Sequence, residues 1–135
     1  MSVTPNRCFK QVLLVDDEVS LLRMLERVLR RAGYGVQCAE NGREGLQYFQ
    51  QAFWDVVIID RSMPEMNGEE LARVIKTSSP NVPLIMITGF RDAITHPLLF
   101  DFILAKPFHP ADLLACLSRT LQKDAELLLT HDSPV

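Results

Sequence analysis

The sequence has no apolar run close to the roughly 20 residues that a membrane-spanning helix needs. Its first residues lack the pattern of a secretory signal peptide, so the expected location is the cytoplasm. Cysteine is scarce and odd in number. Cys8, Cys38 and Cys116 stand far apart without metal-ligand spacing, and read as reduced packing thiols. His96, His109 and His131 form no cluster either. Excess positive charge is also missing: a net charge of −3 gives no electrostatic case for nucleic acid or an anionic membrane. These absences argue against a disulfide scaffold, a zinc module and a basic nucleic-acid-binding arm.

What is present is ordinary in bulk and specific in detail. The 135 residues, 47% hydrophobic and 23% charged, suit one domain large enough to bury a core. No linker, repeat or low-complexity block divides the chain. The expected domain covers residues 9–123, with flexible termini at 1–8 and 124–135. Leu127-Leu128-Leu129 can also extend the last helix.

Val56-Val57-Ile58-Ile59 is a run of β-branched residues, the signature of a strand buried on both faces. It ends on Asp60, then on a loop closed by Pro64 and Gly68. Gln11 to Val15 repeats that pattern and ends on Asp16-Asp17-Glu18. Val36 to Ala39, Pro83 to Ile87 and Phe102 to Ala105 read as three more strands, the last two ending on Thr88-Gly89 and Lys106-Pro107. Between them Leu21, Leu22, Leu25, Val28 and Leu29 recur at helical spacing up to Gly33, which suits the left-handed position after a helix. Further helices are expected after Asn41-Gly42, over Glu69 to Lys76, and from Pro110, with Asp112 at that helix's positive end. The segment from Arg91 to Leu99 contains Pro97 and little periodicity, so a helix there is short or irregular. Strands alternating with helices, and too apolar to face water, predict a doubly wound α/β fold with helices on both faces of a parallel sheet.

In such a sheet the carboxyl ends of the strands share one edge, so Asp16, Asp17, Asp60, Thr88 and Lys106 can converge. Crowded carboxylates repel one another unless a cation joins them, and oxygen ligands of this kind suit a hard divalent ion. A lysine and a hydroxyl opposite can bind phosphoryl oxygens, and a carboxylate can act as nucleophile to form an aspartyl phosphate. Single acids have plainer readings. Asp55 opens its strand at the opposite edge, Glu65, Glu69 and Glu70 read as loop and helix-start acids, and Glu18 suits the positive end of the first helix.

Val15-Asp16-Asp17-Glu18, Asp60 with Met63-Pro64 and Gly68, Thr88-Gly89 and Lys106-Pro107-Phe108 resemble the bacterial response-regulator receiver domain, over about Gln11 to Leu121. The resemblance implies a flavodoxin-like fold with strand order 2-1-3-4-5. It implies phosphorelay signalling in which Asp60 takes a phosphoryl group from a histidine kinase or histidine phosphotransfer protein. Asp17, Asp60 and the Ser62 backbone carbonyl would ligate Mg²⁺ (Mn²⁺ being the alternative), with Asp16 acting mainly through water. Lys106 would neutralise the phosphoryl charge, Thr88 would hydrogen-bond it, and a cis Lys106-Pro107 peptide would aim the lysine inward. Ser62 and Phe90 flank the site and would tune phosphoryl lifetime. Self-phosphorylation and autodephosphorylation would be the only catalytic activities.

The implied partners are the phosphodonor and a downstream effector, with a phosphorylation-dependent homodimer as one output and no direct contact with nucleic acid or membrane. Alternatives are a phosphorylation-independent interaction module, or a receiver cut from a hybrid histidine kinase or larger regulator. A Mg²⁺-dependent phosphatase is disfavoured because no acid near Asp60 is placed as a general acid. Three departures from the receiver pattern stand out. Ile103 replaces the aromatic switch residue three before the lysine, Leu99-Phe100 replaces a Gly-Ala pair, and the Thr88–Lys106 interval is about one helical turn short.

Overall fold

A computed structural model describes residues 9–89 and 94–132, with side chains to Gln122. Five strands, β1 (Gln11–Val15), β2 (Gly35–Ala39), β3 (Val56–Asp60), β4 (Leu84–Thr88) and β5 (Phe102–Ala105), form one sheet. All neighbours pair in parallel, in the order β2-β1-β3-β4-β5. This is the topology the sequence predicts. Helices α1 (Val19–Arg31), α2 (Gly42–Gln51), α3 (Gly68–Ser78) and α4 (Pro110–Asp132) connect or follow the strands.

The period of two along each strand sorts its side chains between two cores. Val12, Leu14, Val56, Ile58, Ile85 and Ile87 meet Leu22, Leu25 and Leu29 of α1 and Leu113 and Leu117 of α4. Leu13, Val15, Val57, Ile59, Leu84 and Met86 meet Leu71, Ala72 and Ile75 of α3, with Leu46 and Phe49 of α2 alongside. Each fully buried leucine or isoleucine contributes about 1.5–3 kcal/mol, so both faces anchor the sheet strongly. The basic stripe on α1 is a solvated face, where Arg23 and Arg30 pair with Glu26.

Local chemistry sets the helix ends. Gly33 follows α1 with φ +98°, a conformation that costs any residue with a Cβ. Asn41 caps α2 by accepting from the Glu44 N–H at 2.8 Å. Asn67 and Glu70 form a reciprocal capping box at α3. The Asp112 side chain accepts from the His109 N–H at 3.0 Å and starts α4. That helix runs on to Asp132, beyond the boundary at 123 that the sequence suggests, so Leu127 to Leu129 extend it. Residues 1–8 and 133–135, and Phe90 and Arg91, lie outside the described residues.

The connection from β4 to β5 is where the fold departs from a fifth helix-strand repeat. Among the described residues its only helical turn is a 3-10 turn at Pro97–Leu99. Phe100 is buried there beside Ile94 and Leu99, on the α3 side of the sheet. The bulky Leu99-Phe100 pair thus adds to that core just ahead of β5. Ile103 packs on this same face, while Phe102 points to the other and lies under the Arg119 guanidinium at 5.6 Å.

Candidate acidic site at the sheet edge

Strands β1, β3, β4 and β5 bring their polar ends to one edge. Asp16 follows β1 and is buried; its N–H donates to the Ala39 carbonyl at 3.0 Å. One carboxylate oxygen of Asp16 accepts from the Glu18 N–H at 2.9 Å, while Oδ2 is buried without a hydrogen-bond partner among the described residues. Asp60 closes β3, also buried, with Oδ1 3.1 Å from Lys106 Nζ. Asp17 is exposed, and Asp16, Asp17 and Asp60 each place an oxygen within 4.8 Å of the others.

Lys106 is held by its backbone, whose N–H donates to the Thr88 carbonyl at 2.8 Å. The Lys106-Pro107 peptide is cis. Thr88 is buried at the end of β4, one residue beyond Ile87, the register partner of Asp60. Ser62 is exposed in the loop after Asp60. Glu18 stands at the N-cap position of α1 without a side-chain capping bond, and its carboxylate lies 4.0 Å from Lys106 Nζ, so it is both a helix-start acid and a neighbour of the site.

The loop from Asp60 to Gly68 folds back tightly on itself. The Gly68 N–H donates to the Arg61 carbonyl at 2.9 Å. A Cβ on Gly68 would lie 2.5 Å from the Asp60 carbonyl oxygen, so only glycine allows this closure.

Electrostatics follow from burial and crowding. Burial pushes Asp16 up to about 6, aided by the charges of Asp60 and Asp17 and opposed by the Glu18 N–H and Lys106. Burial also raises Asp60, against the pull of Lys106. Burial disfavours the Lys106 ammonium, yet its hydrogen bond and attraction to Asp60 win and lift its pKa. Two carboxylates within 4.8 Å of one another repel by about 3 kcal/mol or more at an effective dielectric of about 20. One ammonium against three carboxylates leaves two negative charges, which a divalent cation cancels. The unpartnered Asp16 oxygen and the all-oxygen donor set fit such an ion.

One residue of consequence escaped the sequence reading. Glu69 is a helix-start acid in the first turn of α3, as its position predicts, but it is buried and bound to distant residues. It pairs with Arg61 at 3.4 Å and accepts from Thr95 and His96. A carboxylate adjacent to the capping-box glutamate, on the apolar side of α3, is the sequence signal that could have found it. Elsewhere, Cys38 is pushed up to about 11 by burial and the nearby Glu26, which keeps it an unreactive thiol. A groove of about 680 Å³ at the opposite sheet edge is lined by Phe49, Phe53, Trp54, Val82 and Pro83. Its Asp55 is engaged by the Gln11 N–H at 2.7 Å and gathers no comparable cluster among the described residues.

Comparison with known proteins defines the class. The response regulator receiver domain model matches residues 12–118, and the chain belongs to that family. It is similar to a CheY-like receiver from Methanospirillum hungatei JF-1, with a TM-score of 0.82, 28% identity, and 87% and 98% of the two chains covered. A chemotaxis protein CheY4 from Vibrio cholerae shares 35% identity at a TM-score of 0.79, covering 84% and 99%. The response regulator TrrA from Thermotoga maritima, solved in complex with Mg²⁺ and BeF, shares 30% at 0.78, covering 84% and 100%.

Among curated relatives, a probable transcriptional regulator ycf27 of Guillardia theta is 36% identical over 129 residues, 87% of this chain and 50% of that one. A CpxR homolog of Haemophilus influenzae is 34% identical, covering 85% and 52%. The chain thus spans about half the length of these relatives. It is a receiver of the two-component type, a family typically phosphorylated on aspartate and a signalling fold rather than an enzyme in the ordinary sense. No described helix is long and apolar enough to cross a membrane.

Proposed function

We propose that this receiver takes a phosphoryl group onto Asp60 from a phosphohistidine of a histidine kinase or histidine phosphotransfer protein. The observation that supports this most is the 3.1 Å contact between Lys106 Nζ and Asp60 Oδ1, where Asp60 places an oxygen within 4.8 Å of those of Asp16 and Asp17. A carboxylate oxygen of Asp60 attacks phosphorus as the P–N bond breaks. The leaving imidazole nitrogen keeps the electron pair and takes up a proton. Lys106 leaves its pairing with the carboxylate for the phosphoryl oxygens, and the Thr88 hydroxyl donates to another.

Asp17, Asp60 and the Ser62 carbonyl would hold Mg²⁺, or Mn²⁺ in its place, with Asp16 acting through water. When bound, that ion supplies neutralisation of the charge gathered between acceptor and phosphoryl oxygens. Self-phosphorylation from small donors, and later hydrolysis of the acyl phosphate, are the only catalytic activities in this reading. The protein acts in the cytoplasm. Phosphorylation biases a two-state equilibrium that controls a downstream effector, either directly or through a phosphorylation-dependent homodimer. This reading gives the domain no direct contact with nucleic acid or membrane.

The test is incubation with acetyl phosphate and Mg²⁺, followed by intact-mass measurement. One added phosphoryl group is expected, and none in Asp60→Asn. Absence of labelling on folded wild-type protein would overturn the reading in favour of a phosphorylation-independent interaction module.

A further inference from the structure

Glu69 joins three separate parts of the chain. Its Oε1 accepts from the Thr95 N–H at 3.0 Å, the Thr95 hydroxyl at 2.8 Å and the His96 N–H at 2.9 Å. Its Oε2 lies 3.4 Å from Nε of Arg61, the residue that follows Asp60. Glu69 itself sits one residue after Gly68, whose N–H closes the acceptor loop onto Arg61. One buried carboxylate therefore fastens the β4–β5 connection to the loop that presents Asp60. The ionised state is the one these donors select: burial opposes the charge, but the Thr95 and His96 bonds and Arg61 outweigh it and lower the pKa.

Two features argue that the fastening does more than stabilise. The part it holds is not core: Thr95, His96 and Pro97 are exposed, and Leu98 is 100% exposed. Ordering an exposed tip costs chain entropy and buries little, so stability alone gives no reason for it. Moreover, a neutral acceptor would suffice for the tip, whereas a carboxylate also engages Arg61 on the acceptor side. The other end of the connection is Thr88, beside the acceptor.

The geometry points to Glu69 as a positioning residue that makes the acceptor loop and the exposed 95–98 tip one mechanical unit, so that phosphorylation at Asp60 is felt at the tip through Glu69. This rests on the reading of Asp60 as the phosphoacceptor. The differential interaction is at Thr88 and the acceptor loop, which bind phosphoryl oxygens in one state only. Glu69 transmits that shift because it holds the far end of the connection to the same loop.

The experiment is amide hydrogen exchange at Thr95 and His96 in the full chain, with and without Mg²⁺ and beryllofluoride, alongside acetyl phosphate labelling. In wild-type protein both amides are protected and their exchange changes on adding the mimic. In Glu69→Ala, exchange at both rises about tenfold or more and no longer responds to the mimic. Arg61→Ala separates holding from coupling: the tip stays protected, but its response shrinks. Asp60 is still labelled in both variants, and this distinguishes failure of the coupling from failure of the acceptor reading. An unchanged response in Glu69→Ala, or a labelled wild-type protein whose tip does not respond, would overturn the proposal. Should wild-type Asp60 fail to label, the acceptor reading falls, and the coupling with it. Loss of protection in Glu69→Ala would then mark a structural tie only.

Discussion

The stretches that follow β3 and β4 begin alike and end differently. Each strand is buried to its last residue and delivers a polar side chain, Asp60 or Thr88, to the same edge. After Asp60 the chain is fixed by its own neighbours: Gly68 closes onto Arg61, and the Asn67–Glu70 capping box starts α3 at once. After Thr88 the described chain makes one 3-10 turn and is held from a distance by Glu69. The acceptor loop thus closes on contacts between near neighbours, and the exposed connection is tied to it by the long-range contacts of Glu69. Phosphoryl chemistry at the acceptor and the order of the exposed tip therefore draw on different side chains, Lys106 for the one and Thr95 with His96 for the other, and share Glu69 between them.

The largest expected effect tests that separation. Lys106→Ala removes the ammonium that faces Asp60, and acetyl phosphate labelling should fall by about a hundredfold or more. Leu98→Ala, on the fully exposed tip, should leave labelling unchanged. Equal losses in both would show that the two regions are not separable in this way.

A pair of glycines gives the next effect, in stability. A methyl on Gly68 meets the Asp60 carbonyl and the Arg61 Cα, and overpacking of this kind costs about 1–3 kcal/mol. A methyl on Gly89, at the head of the connection, meets nothing within 4 Å. Thermal unfolding should therefore show a clear drop in Tm for Gly68→Ala and a small change for Gly89→Ala. A comparable drop at Gly89 would mean that the connection is packed as closely as the acceptor loop.

Proton linkage sharpens the acceptor side alone. With Asp16 raised to about 6, the folded protein holds a proton there from about pH 4 to 6 that the unfolded chain has released. The cost of charging Asp16 therefore grows across that window and is constant above it. A cation that needs the charged form must displace this proton, so Mg²⁺ affinity should weaken below about pH 6, approaching tenfold per pH unit. Calorimetric titration across pH 5–8 reads this directly. In Asp17→Asn without Mg²⁺, NMR titration of the Asp16 carboxyl should show a slightly lower midpoint, since one repelling charge is gone; an unmoved midpoint would assign the shift to burial and Asp60.

The same contrast explains what the sequence made legible. The strands and a sheet covered on both faces followed from β-branched runs and their alternation with helices, a signal as local as the elements it describes, whereas the strand order came with the receiver resemblance. Asp16, Asp17, Asp60, Thr88 and Lys106 were legible because each stands at a strand end, and a parallel sheet fixes where strand ends meet. Glu69 was not, since its burial comes from Arg61 and from Thr95 and His96, which approach only once β4 and α3 are side by side. The shortened connection was visible as a missing turn. How it is held was not, because hydrogen bonds between distant segments leave no period in the chain.

The smallest effect belongs to the edge farthest from both regions. Trp54 precedes β3 at its amino end, and its indole Nε1 donates to the Tyr48 carbonyl at 3.2 Å. Asp60 closes the same strand at the other end, and of the residues between them Val56 to Ile59 are buried and Val57 to Ile59 pair with both β1 and β4. A central strand held in this way moves little, so a charge added at Asp60 reaches Trp54 only as a screened field through the sheet. Tryptophan fluorescence should therefore change by no more than about a tenth when Mg²⁺ and beryllofluoride are added, while amide exchange at Thr95 changes clearly. A strong quench would show that β3 shifts as a body on phosphorylation. The contrast between a fixed acceptor strand and a responsive connection would then have to be drawn along the strand axis instead.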